Sequence, residues 1–166
     1  MGDRLELNRL IRMQKELDSR IESERKLGSQ DLTDRKILAL FVELGELANE
    51  TRCFKFWSSK PPAADDVILE EYVDCLHFIL SIGIGLGWER KMKAEFEQSD
   101  NEMTSLFNNV FTLTADFNKD RSLLRFSEMF TAFLTLGGKL GFSGAVIERG
   151  YFDKNKENHN RQEQGY

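Results

Sequence analysis

The chain has 166 residues, 40% hydrophobic and 31% charged, with a formal net charge of −5. That length fits one domain with a sizeable core, and the acidic balance offers no basic face for duplex nucleic acid. Two cysteines, Cys53 and Cys75, without a C-x-x-C pair exclude a zinc ribbon or a disulfide framework, so a reducing cytoplasm is the expected compartment. The opening MGDRLELNRL lacks the apolar core of a signal peptide. The longest apolar run, Cys75 to Leu86, is broken by His77, Ser81 and glycines, and is too short to span a bilayer.

A first helix is predicted from about Arg4 to Lys26, with its apolar stripe through Leu7, Leu10, Ile11, Leu17 and Ile21. Gln14 falls inside the stripe. A buried carboxamide needs partners, and it either bonds a neighbouring helix or reads a ligand that offers a donor beside an acceptor, as a uracil edge does. Gly28-Ser29-Gln30 breaks the pattern, and Asp31 or Thr33 can cap a second helix reaching about Cys53. Phe54 to Pro62 is a loop, because its double proline cannot continue a helix. Its aromatics and Lys55 suit stacking on a base and charge on a phosphate, or they plug the end of a bundle.

Asp65 and Asp66 open a third helix, from about Val67 to Leu86. Gly83, Gly85 and Gly87 end it and are no dinucleotide loop, since no strand precedes them. After a charged connector from Glu89 to Glu102, two amphipathic helices run through Met103 to Phe117 and Leu123 to Leu134, their phenylalanine stripes reading as core or subunit interface. Gly137-Gly138 and Gly141 close that region, and Ser143 can cap a short last helix. No strand alternation appears. The expected fold is an all-α helical bundle, one domain over 1–166.

The chemistry concentrates in the second and third helices. Glu43 and Glu46 are three apart, as are Glu71 and Asp74, so each pair projects from one helix face. Leu38, Leu40, Phe41, Val42, Leu44 and Leu47 crowd the first pair, and Tyr72, Val73, Cys75, Leu76, Phe78 and Ile79 the second. Helices so apolar are expected to be buried. Four carboxylates within them face desolvation and mutual repulsion, which a bound cation removes. Oxygen-only ligands suit Mg²⁺, which shares its shell with substrate phosphates. The opposing reading is a pair of solvated faces, as E-x-x-E is common in helices.

The tail, 151–166, is polar enough to be disordered by composition. Yet Lys154, Asn158 and Arg161 are four and three apart, which would align two cations and an amide on one helical face able to close over phosphates.

ELGELANETRCFKFW, EEYVDCLHFILSIG, the tail KNKENHNRQEQGY and an N-terminal MQKELD together resemble the dimeric, all-α dUTPase family, a branch of the superfamily that includes MazG-type nucleotide pyrophosphatases. The resemblance implies Mg²⁺-dependent hydrolysis of dUTP, and also of dUDP, to dUMP by a homodimer. Glu43, Glu46, Glu71 and Asp74 match its metal ligands. Gln14, Asp18 and Trp57 match uracil-contacting positions, and Phe78 matches an aromatic on the deoxyribose. Lys154, Asn158 and Arg161 match the late motif that reaches substrate, and Lys55 and Tyr166 are further correspondences. Glu46 is the chosen base for the attacking water.

Three other readings remain at this point. A sibling pyrophosphatase acting on dCTP or on nucleotides in general would share the carboxylate pairs. A carboxylate-bridged di-iron bundle would use Asp74-x-x-His77 but needs a second such element, and His159 in the tail supplies none. A helical partner-binding protein would need neither.

Overall fold

The computed structural model describes residues 5–166. Among them are six helices and no strand: α1 (Leu7–Glu24), α2 (Thr33–Thr51), α3 (Asp65–Gly85), α4 (Met103–Lys119), α5 (Leu123–Lys139) and α6 (Gly144–Glu163). The expected start of the first helix at Arg4 lies outside the described residues. No single helix among them is long and apolar enough to cross a membrane.

α3 is the central element. It packs most extensively on α2 and also meets α1, α5 and α6, while α4 pairs chiefly with α5. Its sequence explains the position, because Ile68, Tyr72, Val73, Leu76, Ile79, Leu80 and Ile82 are all buried and together occupy more than one face. The phenylalanines of α4 and α5 supply the core on the far side, with Phe117, Phe126, Phe130 and Phe133 fully buried. At Gly137, inside α5, an added Cβ would sit 2.3 Å from the hydroxyl of Tyr72. Tyr72 stacks on Phe133 there, with centroids 4.3 Å apart, so only a glycine lets α5 approach α3 this closely.

Local signals act where the sequence places them. Ser122 and Ser143 cap α5 and α6, their hydroxyls accepting from the N–H of Arg125 and Val146. Asp31 accepts from the N–H of Thr33 at 2.9 Å at the start of α2. Cys53 falls just beyond α2 in a turn rather than within the helix. Arg52 ends α2 in the left-handed region, φ 58°, an uncommon conformation for a side chain of its size. Its guanidinium donates to Lys60 O and Ser58 Oγ, at 3.0 and 2.7 Å, and so ties down the aromatic loop.

Two expectations are corrected. α2 is not buried all round, since Leu38 is 66% and Val42 52% exposed. The helix is amphipathic, and its core face is Ile37, Leu40, Leu44 and Leu47. The last helix is not short either. It continues through the polar tail to Glu163, anchored by Ile147 and Tyr151, which are fully buried. Composition understated it because two apolar side chains and a buried Lys154 suffice to seat the helix against α1 and α3.

Candidate active site

Glu43 and Glu46 sit one turn apart on α2, facing Glu71 on α3. These three carboxylates bring ligand oxygens within 4.8 Å of one another. Glu46 is exposed, and Glu43 and Glu71 are half-buried, so the cluster opens to water rather than lying in the core. Partial burial, a hydrogen bond to Glu46 and the charges of Asp74, Glu46 and Glu71 push Glu43 up to about 8. Glu71 is raised as well, by burial and then by Asp74 and Glu46. Such oxygen-only crowding fits a hard divalent ion, whose charge would relieve the repulsion.

Asp74 stands outside this tight group. Its Oδ2 is 3.0 Å from Lys154 Nζ, an amine that also reaches Glu70 Oε1 at 2.8 Å. Burial raises the Asp74 pKa against the pull of Lys154. Burial alone would lower Lys154, but the bonds to Glu70 and Asp74 outweigh it and hold the amine above its ordinary value. Within α6, Arg161 donates to Glu157 and lies over the ring of Tyr166, 5.4 Å from its centroid.

Beside the carboxylates is a cavity of about 270 Å³, close to the smaller ligand sites of proteins. Glu43, Asp74, Lys154 and Arg161 line it together with Gln14, Asp18, His77 and Phe78, and Asn158 and Tyr166 are also at its wall. Gln14 is 3% exposed and fully engaged. Its Oε1 accepts from Tyr151 Oη at 2.6 Å and meets His77 Nδ1 at 2.5 Å, while its Nε2 donates to Asp18 Oδ1 at 2.8 Å. Ser81 Oγ donates to the other Asp18 oxygen at 2.8 Å. Burial raises the pKa of Asp18, opposed by the Gln14 and Ser81 hydrogen bonds and by Lys36.

A family model described as dUTPase matches residues 6–166. The chain belongs to this dUTPase family. No match was found among curated proteins. Membership makes the chain an enzyme of the dUTP diphosphatase class, and the acidic cluster accords with the divalent metal typical of dUTPases.

Most residues singled out in the sequence of this dUTPase converge here. Gln14, Asp18, Glu43, Asp74, Phe78, Lys154, Asn158, Arg161 and Tyr166 share the cavity wall, and Glu46 and Glu71 complete the carboxylate group with Glu43. Lys55 and Trp57 do not line the cavity. Trp57 is 64% exposed and packs edge-on against Phe54 and Phe56, and Lys55 donates to Asn49 Oδ1. The Asp74-x-x-His77 element does not act as a unit. His77 Nδ1 meets Gln14, and His159 pairs with Arg20.

Sequence reasoning missed Glu70, Ser81, Tyr151 and the Gln14 contact of His77. Only the i,i+4 spacing of Gln14 and Asp18 was local enough to be found. Tyr151 reaches Gln14 across 137 positions and His77 across 63, and no spacing encodes such contacts.

Proposed function

We propose that this dUTPase hydrolyses dUTP to dUMP and pyrophosphate, and dUDP to dUMP and phosphate, with Mg²⁺ as its metal, as a homodimer in the cytoplasm. The observation that carries the reading is one cavity whose wall brings an amide and an aromatic ring, Gln14 and Phe78, together with carboxylates and cations, Glu43, Asp74, Lys154 and Arg161. Gln14, with Asp18 and Asn158 beside it, faces the base. Phe78 packs on the deoxyribose, where a 2′-hydroxyl has no place.

Glu43, Glu46 and Glu71, joined by Asp74, would hold the metal. Bound there, Mg²⁺ supplies charge neutralisation of the phosphates and a lowered pKa for water. The chain's own groups do the rest. Lys154 and Arg161 leave their carboxylate partners to meet phosphate oxygens and hold the chain of phosphates in line. In-line attack of water on the β-phosphorus forms one P–O bond and breaks the bond to the oxygen bridging α and β, which departs with dUMP. Glu46, the most exposed carboxylate of the group, takes the water's proton.

The homodimer is supported by apolar surface that the single chain leaves uncovered. Leu38 and Val42 lie one turn apart on α2, and Phe56 is 94% exposed in the aromatic loop. A second copy over that surface would also give Trp57 and Lys55 a route to a nucleotide that their own cavity wall does not offer. Sedimentation of the metal-loaded chain should give twice the monomer mass, and Leu38→Glu with Val42→Glu should halve it. A monomeric wild type would rule the dimer out.

The decisive assay is release of pyrophosphate from dUTP, dCTP, dTTP and UTP with and without Mg²⁺. Strong preference for dUTP that vanishes without metal is expected. Comparable turnover of dCTP would discard the base assignment in favour of a broader pyrophosphatase. Glu46→Gln is expected to lower turnover about tenfold or more at saturating Mg²⁺, and near-normal turnover would remove Glu46 as the base.

A further inference from the structure

Gln14 cannot read both halves of a donor–acceptor edge. Its carbonyl oxygen already meets Tyr151 Oη at 2.6 Å and His77 Nδ1 at 2.5 Å. Its amide cannot turn over, because the reversed group would set oxygen against the Asp18 carboxylate, where Nε2 now donates at 2.8 Å. Towards a ligand Gln14 therefore offers only N–H. The acceptor that a base N–H requires must come from elsewhere in the wall.

The same contacts assign the His77 proton. A carbonyl oxygen accepts and never donates, so the hydrogen between His77 and Gln14 belongs to Nδ1. Nε2 then carries a lone pair. That atom is buried and has no hydrogen-bond partner, although nearly all buried polar atoms have one. The ring is not free to seek one, being stacked on Tyr151 with centroids 4.2 Å apart. Burial, reinforced by the charge of Lys154, holds His77 down at about 3, so the imidazole stays neutral at ordinary pH and keeps its lone pair. His77 lines the cavity beside Gln14 and Phe78.

We infer that His77 Nε2 is the acceptor for the imide N3–H of the base, which makes His77 a specificity-determining residue for substrate. The inference rests on the nucleotide reading of the cavity. Uracil presents N3–H between two carbonyls, so an imidazole lone pair beside the Gln14 N–H matches two adjacent groups of that edge. Cytosine has a lone pair at N3 and an amine at C4, so the acceptor would meet an acceptor and the Gln14 donor a donor. Thymine has the same edge as uracil, so exclusion of dTTP falls to other residues. Tyr151 is a positioning residue, holding both the His77 ring and the Gln14 oxygen.

The test compares wild type, His77→Asn and His77→Gln on dUTP, dCTP, N3-methyl-dUTP and 2′,3′-dideoxy-UTP, with melting curves for each protein. Asparagine places its amide where Nδ1 stands and keeps the donor to Gln14 but leaves the Nε2 position empty. Glutamine reaches that position with a carbonyl. The expected result is rejection of dCTP and N3-methyl-dUTP by wild type, with His77→Asn losing about 30-fold in kcat/KM for dUTP, mostly through KM, and losing most of the rejection with it. His77→Gln should restore much of both. A structural role alone would lower all four substrates together and leave the ratios unchanged, which would overturn the inference. Loss of sensitivity to His77→Asn by the dideoxy nucleotide alone would assign Nε2 to the sugar 3′-hydroxyl and overturn it equally.

Should either variant fail to fold, ¹⁵N NMR of the wild-type histidine decides. The free protein should show the Nδ1-protonated tautomer, and dUMP, but not N3-methyl-dUMP, should shift Nε2 as a new hydrogen bond does. The other tautomer, or equal shifts with both nucleotides, would overturn the inference. A wild type that does not favour dUTP at all refutes the uracil reading of the cavity, and this assignment falls with it before any variant is compared.

Discussion

Glu43→Gln should melt a few degrees above wild type at pH 8 without divalent cations, while hydrolysing dUTP about a thousandfold more slowly. The stability half follows from the raised pKa. Glu43 moves from 4.5 to about 8 in the folded chain through burial, its hydrogen bond to Glu46 and the charges of Asp74, Glu46 and Glu71. Between those values the folded state binds more protons than the unfolded one, so the contribution of Glu43 destabilises progressively as pH rises through that window. Below it the carboxyl is protonated in both states and the penalty disappears. Glutamine keeps the shape and removes the Glu43 titration, so the difference between the two proteins reports Glu43 together with the relief it gives its carboxylate neighbours Glu46, Glu71 and Asp74.

The activity half follows from the same crowding, because the charge that costs stability is what a cation would use. Millimolar Mg²⁺ should therefore lift the wild-type melting temperature at pH 8 more than that of Glu43→Gln. Thermal melts over about pH 5 to 8, with Mg²⁺ or with EDTA, measure both effects. A wild type whose melting temperature is insensitive to Mg²⁺ would sink the metal assignment.

Lys154→Met should lower kcat/KM for dUTP by about 100- to 1,000-fold, the usual cost of removing one well-placed charge from a phosphate-transfer site. Lys154 is only 8% exposed, and its amine is shared between Glu70 and Asp74. Methionine fills similar space without charge, leaving those carboxylates uncompensated and costing about 1–3 kcal/mol of metal-free stability, less than a fully buried pair would because Glu70 is half exposed. Removing a competing cation from Asp74 should at the same time tighten Mg²⁺ binding severalfold. Calorimetric titration separates the two consequences. If metal affinity drops along with activity, Lys154 supports the carboxylate cluster instead of meeting phosphate.

Most of the helices were legible because their buried stripes repeat locally. α4 and α5 carry phenylalanines at helical spacing, and those residues are core. The carboxylate pairs were legible for the same reason, since three residues on a helix is one turn. What spacing could not say is how exposed each face would be. Leu38 and Val42 resemble core residues in sequence, yet the α2 face that meets α3 is the one bearing Leu40, Leu44 and Leu47. α6 was half legible. The alignment of Lys154, Asn158 and Arg161 held on a real helix, but its burial depends on α1 and α3, which no local pattern encodes. The Gln14 network was least legible, because its three helices, α1, α3 and α6, come from both ends and the middle of the chain.

α6 also acts as a ruler. Lys154 and Arg161 are separated by seven residues, close to two full turns or about 10 Å along the axis, so one rigid element sets the distance between the groups it offers to the cavity. Any single-residue insertion between Tyr151 and Arg161 would swing everything beyond it by about 100°. Drift in this helix is tolerable by substitution but hardly by changes in length, since even a whole heptad, which would restore the face, would change the spacing of Lys154 and Arg161 by about 10 Å.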